Sequence, residues 1–534
     1  MRTVPANVPR TQVSLISEFA GRIARPEDCV PGEAVVEAVR QRLFDTLGAT
    51  LVGLQTPEGR VLTRLHERLA VDDAPCPAIE AARLLVGATR STEIDDIDIA
   101  SCTTPGSVVV PTALCVAASL TETDDRQIAS AVATGYDAMI RLGRAIDGAN
   151  ALHAGVWPTY LTAPFAAAAV TASLHGMNVA QTTRALSLAL ARSSRLSSAP
   201  YGDSTFRFHA LGCAAAEGIE AALAAAAGVE VRPEVLDALA EATGTRFDAA
   251  AFGKDFSGSK VLDVDTKLFP TSRQALASVE AFRRQLPPAG PTGDIEEIVV
   301  HVPAAYRAMV DRPTLPAGRI ESMTGVQFQL ALAAFAPEKL YDVRRERLPG
   351  DARFGQFLQS VRVRADAGLT ARFPATWGSR VDVRWRNGDE SSREILDPAG
   401  SRTRPPDWET LRAKLDRVTA ASGLMAAGTT RHADTAKPQI PRGAVEALID
   451  RCRKLASRAT DNADSAPAGI AGGALGNTAG SIAGGPADNE PGGVARCIAG
   501  ANAVHELLQL AQASCGSHRP INRIAAYAGN NDGE

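Results

Sequence analysis

The sequence lacks most of the features that would fix a function class at once. Its net charge is only −4 over 534 residues, so it offers no concentrated basic field for nucleic acid or a membrane surface. Aromatic residues are 5% of the chain, which leaves few large side chains to fill a core. The eight cysteines (Cys29, Cys76, Cys102, Cys115, Cys213, Cys452, Cys497 and Cys515) are scattered. No two have C-x-x-C spacing and no three cluster as iron–sulfur ligands do, so they read as free buried thiols in a reducing compartment. There is no G-x-G-x-x-G after a strand pattern, no Walker lysine loop and no H-E-x-x-H. The expectation is a protein with no metal and no organic cofactor. The opening MRTVPANVPR has no apolar core of the signal-peptide kind. No charge-free apolar run reaches about 18 residues outside Ala-rich stretches that Gly, Arg, Ser and Thr interrupt. A cytoplasmic chain is expected.

What is present is a globular balance, with 45% apolar and 22% charged residues. The length predicts two or three domains. Up to about residue 287 the pattern is helix after helix. Val36, Val39, Leu43, Leu47 and Leu51 recur every three or four positions, as on an amphipathic helix. Ala129–Ile146, Pro164–Leu174, Val179–Arg192 and Leu211–Ala227 are Ala-rich and suit close, central packing. Pro287-Pro288-Ala289-Gly290-Pro291 reads as a domain boundary. Beyond it Ile298, Val300 and Val302 alternate as in a half-buried strand, as do Val361 and Val363, then Val381, Val383 and Trp385. Asn387-Gly388 predicts a tight hairpin into Glu394–Leu396, and Gly325–Phe335 predicts a buried helix. The fold class expected is mainly α plus α+β. A large all-helical domain (12–287) would be joined to a smaller α+β lid domain (288–420). Residues 424–534, dominated by Gly, Ala, Pro and Ser over Ala466–Gly493, read as linker and appendage.

Several segments in order carry a family likeness. They are Arg42–Gly48, the acidic run Thr92-Glu93-Ile94-Asp95-Asp96-Ile97-Asp98, and Thr104-Pro105-Gly106-Ser107 with Pro111. Gly135-Tyr136-Asp137 with Arg141 follows, then His153, Phe206-Arg207-Phe208-His209 with Gly212, and Lys267-Leu268-Phe269-Pro270 with Arg273. Together, over about residues 12–418, the series resembles the MmgE/PrpD family of dehydratases, decarboxylases and epimerases of small acids. The resemblance implies a helical domain with an α+β lid, a site between them, a homodimer, and cofactor-free chemistry beside a carboxylate. The partner implied is a small carboxylic acid.

Such chemistry builds negative charge at the carbon next to a carboxylate, so it needs a base, an acid and cations. The catalytic candidates are Lys267, His153, His209 and Asp95. The substrate-binding candidates are Arg207, Arg273, Thr104, Ser272 and Asp96. Lys267 serves as cation or proton carrier and His153 as a base near neutral pH. Adjacent Asp95 and Asp96 are carboxylates whose pKa values can be pushed apart. Each also has a structural reading, as a solvated lysine, a packed histidine or a helix cap. Both Lys267 and His153 are expected off the apolar stripes, where truncation spares the fold. Thr104, Ser272, Phe206 and Thr92 stand where the family commonly has histidine, histidine, lysine and histidine. The usual proton-transfer set is therefore altered, and the loss of a cation at Phe206 argues against a tricarboxylate. Elimination is the first expectation, epimerisation or decarboxylation the alternative, and a non-catalytic binding or scaffold role a third.

Overall fold

The structure is a computed structural model, which describes residues 10–24, 31–69, 77–121, 123–193, 204–231, 247–253, 258–287, 295–349, 352–424, 450 and 452–453. The first part is helical: α1 (Arg10–Ile23), α2 (Glu33–Gly53), α3 (Pro57–Leu69), α4 (Ala78–Arg90), α5 (Pro105–Ser119), α6 (Asp125–Ala145), α7 (Gly148–His153), α8 (Pro158–Leu174), α9 (Val179–Arg192), α10 (Phe206–Ala226) and the single-turn α11 (Ala249–Phe252). At its centre α8 packs on α5, α6, α9 and α10. Its Ala-rich sequence explains the place, because small side chains let helix backbones approach on every side. Every α8 residue except Ser173 is buried.

The stripe expected on α2 proved too narrow. Val36, Val39, Leu43 and Leu51 are buried, but so are Arg40, Arg42, Asp45, Thr46 and Thr50. The helix is enclosed by α4 and α5 and by α18 (Trp408–Ala421) from the far end of the described fold. Periodicity reports apolar faces and cannot show that a polar face is buried against partners of its own.

The second part holds α12 (Arg273–Arg283), β1 (Ile295–Val302), α13 (Ala304–Val310), α14 (Arg319–Ser322), α15 (Val326–Phe335), α16 (Ala352–Ser360), β2 (Val361–Ala365), α17 (Ala367–Arg372), β3 (Ser379–Trp385) and β4 (Glu390–Ile395), before α18. The strands form one sheet in the order β2-β1-β3-β4. β1 runs parallel to β2 and antiparallel to β3, and β3 and β4 form the hairpin expected at Asn387-Gly388. Gly388 has φ +91 there, which glycine adopts at no steric cost. Ile298, Val300, Val302, Val381 and Val383 are buried, each contributing about 1.5–3 kcal/mol. The mainly helical fold with a small α+β part is thus as expected. α12 precedes the Pro287 break yet packs on β3, β4 and α15, so the sheet side of the packing begins before that break.

Of the appendage, only Leu424, Asp450, Cys452 and Arg453 lie within the described residues. Cys452 is buried in the main hydrophobic cluster, and the Arg453 guanidinium lies 5.0 Å from the Trp408 ring centre. Cys102, Cys115 and Cys452 are buried, and Cys213 is half-buried. Among the described residues no helix is long and apolar enough to cross a membrane.

Candidate active site

Backbone pairing brings the acidic segment to Lys267. Ile97 and Asp265 exchange both amide hydrogen bonds in an antiparallel bridge, at 2.9 and 2.7 Å. Two residues back on one strand and two forward on the other is the next position on the same side, and there Asp95 meets Lys267. Gly400 clamps this stretch from outside, its carbonyl accepting from Thr266 N at 2.7 Å. A Cβ at Gly400 would stand 2.2 Å from the Thr266 carbonyl oxygen, at φ +91, so only glycine fits. Lys414 on α18 pins the acidic segment by donating to Asp45 Oδ1 at 2.6 Å and to the Ile94 carbonyl at 2.7 Å.

The result is a cluster of three cations and two carboxylates. Lys267 Nζ donates to Asp95 Oδ1 at 3.0 Å and to Glu93 Oε2 at 3.1 Å. Arg90, at the end of α4, reaches Glu93 Oε2 at 2.7 Å and Asp95 Oδ1 at 3.2 Å. Arg207, in the first turn of α10, reaches Glu93 Oε1 at 2.7 Å. The Lys267 and Asp95 side chains are 2% and 0% exposed, those of Glu93, Arg90 and Arg207 10–15%. The cluster therefore has a floor, Lys267 with Asp95, and a side nearer solvent. Its wall continues through Trp157, 5.5 Å from the Arg207 guanidinium, and Tyr160, whose ring centre lies 4.5 Å from that of Trp157 with the planes tilted by 34°.

Burial by itself would raise the Glu93 carboxyl, but Arg90, Lys267 and Arg207 outweigh it and hold the group well below the usual carboxylate range. Burial likewise opposes the charge on Arg90, and Asp95 and Glu93 overcome it, so its pKa is raised. The backbone at Glu93 is left-handed, φ +55, as it is at Cys102, φ +53. Non-glycine residues adopt this region rarely, and it recurs where surrounding structure imposes it.

Matches to two family models span most of the chain: the MmgE/PrpD N-terminal domain over residues 22–255 and the MmgE/PrpD C-terminal domain over 269–435. The chain belongs to the MmgE/PrpD family. This family is known for dehydratase-type activity on small acids. No curated protein matches the sequence. Lys267 falls in the short stretch between the two MmgE/PrpD matches, while Arg90, Glu93, Asp95 and Arg207 lie in the first.

The other sequence candidates make different contacts. Asp96 turns the opposite way from Asp95, accepting from Gly106 N at 2.8 Å and from the Tyr136 hydroxyl at 2.5 Å. Burial pushes its pKa up to about 6, with Arg42 pulling it down. A Cβ at Gly106 would come within 2.8 Å of Asp96 Oδ1, so the P-G turn is built for this carboxyl. Thr104 starts α5, its hydroxyl 3.3 Å from Ser107 Oγ and 3.4 Å from Thr159 Oγ1. His153 ends α7 instead of lying in a loop, with its ring beside Phe373 and Tyr306 at 6.0 and 6.4 Å. Its buried Nε2 has no hydrogen-bond partner among the described residues, and burial lowers its pKa. Ser272 precedes α12, with a buried hydroxyl that likewise has no partner.

No described hydrogen bond or ion pair joins these residues to the cluster, and the same holds for Arg273 and His209. Arg273 Nε is locked on Asp265 Oδ2 at 2.7 Å, deep in the fold, which makes it a brace for the Lys267 segment. His209 Nε2 lies 3.5 Å from Cys213 Sγ, one turn along α10. Its pKa is lowered by burial and by Arg83. Conversely, sequence reading missed Arg90, Glu93 and Tyr160 as individual site residues. Glu93 sat inside a recognised acidic run, but nothing in spacing says which acid of such a run turns inward.

Proposed function

We propose that this MmgE/PrpD protein is a cofactor-independent lyase that removes water from a small hydroxy acid by taking a proton next to the carboxylate. The observation that carries the reading is the buried Lys267 ammonium, set with Arg207 and Arg90 at one place in the fold. Cations so placed stabilise the negative charge that spreads into the substrate carboxylate as the C–H bond breaks. His153 is the base in this reading. Burial lowers its pKa and so favours the neutral imidazole at pH 7, and Nε2 has a lone pair or proton position with no partner among the described residues. The carbon-bound proton passes to His153, the C–O bond breaks, and the leaving hydroxide takes a proton from the Lys267 ammonium, giving water and an unsaturated acid. The imidazolium then returns its proton through solvent to Lys267.

The test is proton exchange. Small hydroxy, unsaturated and amino acids are incubated with the protein in D2O and followed by NMR. Deuterium at the carbon beside the carboxylate, with an alkene product, supports elimination; exchange with inversion and no alkene supports the epimerase alternative. No exchange with any acid, in a protein whose fold is intact, overturns the reading in favour of a binding role.

A further inference from the structure

We propose that the site takes an acid with a single carboxylate, and that Glu93 is the residue that excludes a second one; this rests on the acid-binding part of the reading above. The charges of the cluster set the limit. Arg90, Arg207 and Lys267 face Glu93 and Asp95, three positive charges against two negative. Both Glu93 oxygens are already used, Oε1 by Arg207 and Oε2 by Arg90 and Lys267. Each cation of the cluster thus has an internal carboxylate, and the surplus is one positive charge. One substrate carboxylate neutralises that surplus. A second would leave a net negative charge where the side chains are at most 15% exposed, and solvent compensates such a charge poorly.

Two independent observations agree. Asp95 Oδ2 is buried and has no hydrogen-bond partner among the described residues. An unpaired carboxylate oxygen accepts a donor, such as a substrate hydroxyl, and repels another carboxylate. Glu93 also holds its position in left-handed backbone at φ +55, so the carboxylate is placed there against local conformational preference. The other nearby acids are spoken for: Asp96 by Tyr136 and Gly106, Asp98 by Arg144, and Asp45 by Lys414.

The experiment is a calorimetric binding series with propanoate, succinate and tricarballylate, which differ by one carboxylate at each step and bear no leaving group. The wild-type protein should bind propanoate most tightly and tricarballylate least. Glu93→Gln should improve succinate binding about ten- to hundredfold, the worth of one charge-assisted contact, and propanoate binding by less. Glu93→Gly should shift the preference the same way, and it relieves the left-handed backbone, so it serves if the glutamine variant does not fold. Tighter succinate than propanoate binding by the wild type overturns the proposal, as does failure to bind any of the three. An unchanged succinate-to-propanoate ratio in both variants overturns it too. An equal gain for all three acids would make Glu93 a removable plug and also defeat the charge count. The readout is binding, so it stands or falls separately from the D2O exchange that tests the lyase reading.

Discussion

Two neighbourhoods of this protein treat buried polarity in opposite ways. Around Lys267 the cations and carboxylates are cross-paired, although Asp95 Oδ2 and Arg90 Nε lack a hydrogen-bond partner among the described residues. At His153 and Ser272, buried polar atoms face no hydrogen-bond partner among the described residues. A buried unsatisfied polar atom costs about 1–3 kcal/mol, and folded proteins keep few of them. The paired cluster is therefore committed to holding the fold together as well as to any ligand. The unpaired atoms have a reason to be there only if water or a ligand completes them. Structural dependence should concentrate in the first neighbourhood, and purely functional dependence in the second.

The strongest way to break this comparison is Lys267→Ala. Taking one partner out of a buried ion pair costs about 3–5 kcal/mol, because the remaining charges are left uncompensated. Glu93 and Asp95 would then share only Arg90 and Arg207. Loss of turnover should come with a melting temperature lowered by several degrees. The expectation from sequence, that truncating this lysine spares the fold, is reversed by its burial at 1% exposure. A variant melting like the wild type would show that the pairing contributes nothing to stability.

His153→Ala should show the opposite balance. Turnover should fall about 10²–10⁴-fold, as for a lost general base, with a smaller change in melting than Lys267→Ala. The pH profile sharpens the point. The base works neutral, and burial lowers its pKa from 6.5, so activity should be lost only as pH falls below that value. An acidic limb above pH 6.5 in kcat/KM would assign it to another group.

Asp96→Asn tests the second layer, where a carboxyl is neither ion-paired nor free. Its folded pKa of about 6 lies above the ordinary 3.8, so the native state holds the extra proton between these values. Stability contributed by that proton is present below pH 3.8 and lost as pH rises through 6. Asparagine can accept from Gly106 N and donate to the Tyr136 oxygen without ionising. Relative to wild type the variant should gain with rising pH, by up to about 3 kcal/mol at pH 8. Denaturant midpoints at pH 4 and pH 8 measure this directly. Glu93 acts in the other direction: its lowered pKa stabilises above the ordinary 4.5, and that contribution is lost on acidification. Comparing variant with wild type at each pH removes it.

Much of the fold could be read from the chain, because apolar alternation and the Asn387-Gly388 turn are local signals. The four strands and the buried α15 follow from them. The site was legible only as segments. The motif series singled out Lys267, Asp95 and Arg207, which the structure joins, but also Arg273 and His209, which it places elsewhere. The bridge between Ile97 and Asp265 spans 168 positions, and no pattern within either segment encodes that register. Arg90 was invisible for a related reason: as the last residue of α4 it has the look of a solvated helix end, and only tertiary packing buries it.

The smallest expected effect is at Ser272, and it separates the two neighbourhoods most finely. Serine at a helix N-cap ordinarily accepts from a first-turn amide, and losing it costs about 1 kcal/mol. Here the Ser272 hydroxyl makes no cap hydrogen bond. What fixes the residue is its backbone, with Ser272 N donating to the Met323 carbonyl at 2.8 Å, and alanine keeps that contact. Ser272→Ala should therefore leave stability within about 0.5 kcal/mol, or raise it slightly by removing an unsatisfied hydroxyl. If the hydroxyl serves the substrate, KM should rise about two- to tenfold, one neutral hydrogen bond's worth, with the denaturation midpoint unmoved. A full cap-sized loss of stability with unchanged KM would show that Ser272 belongs to the framework, and that an unpaired buried atom in this protein does not point to a ligand.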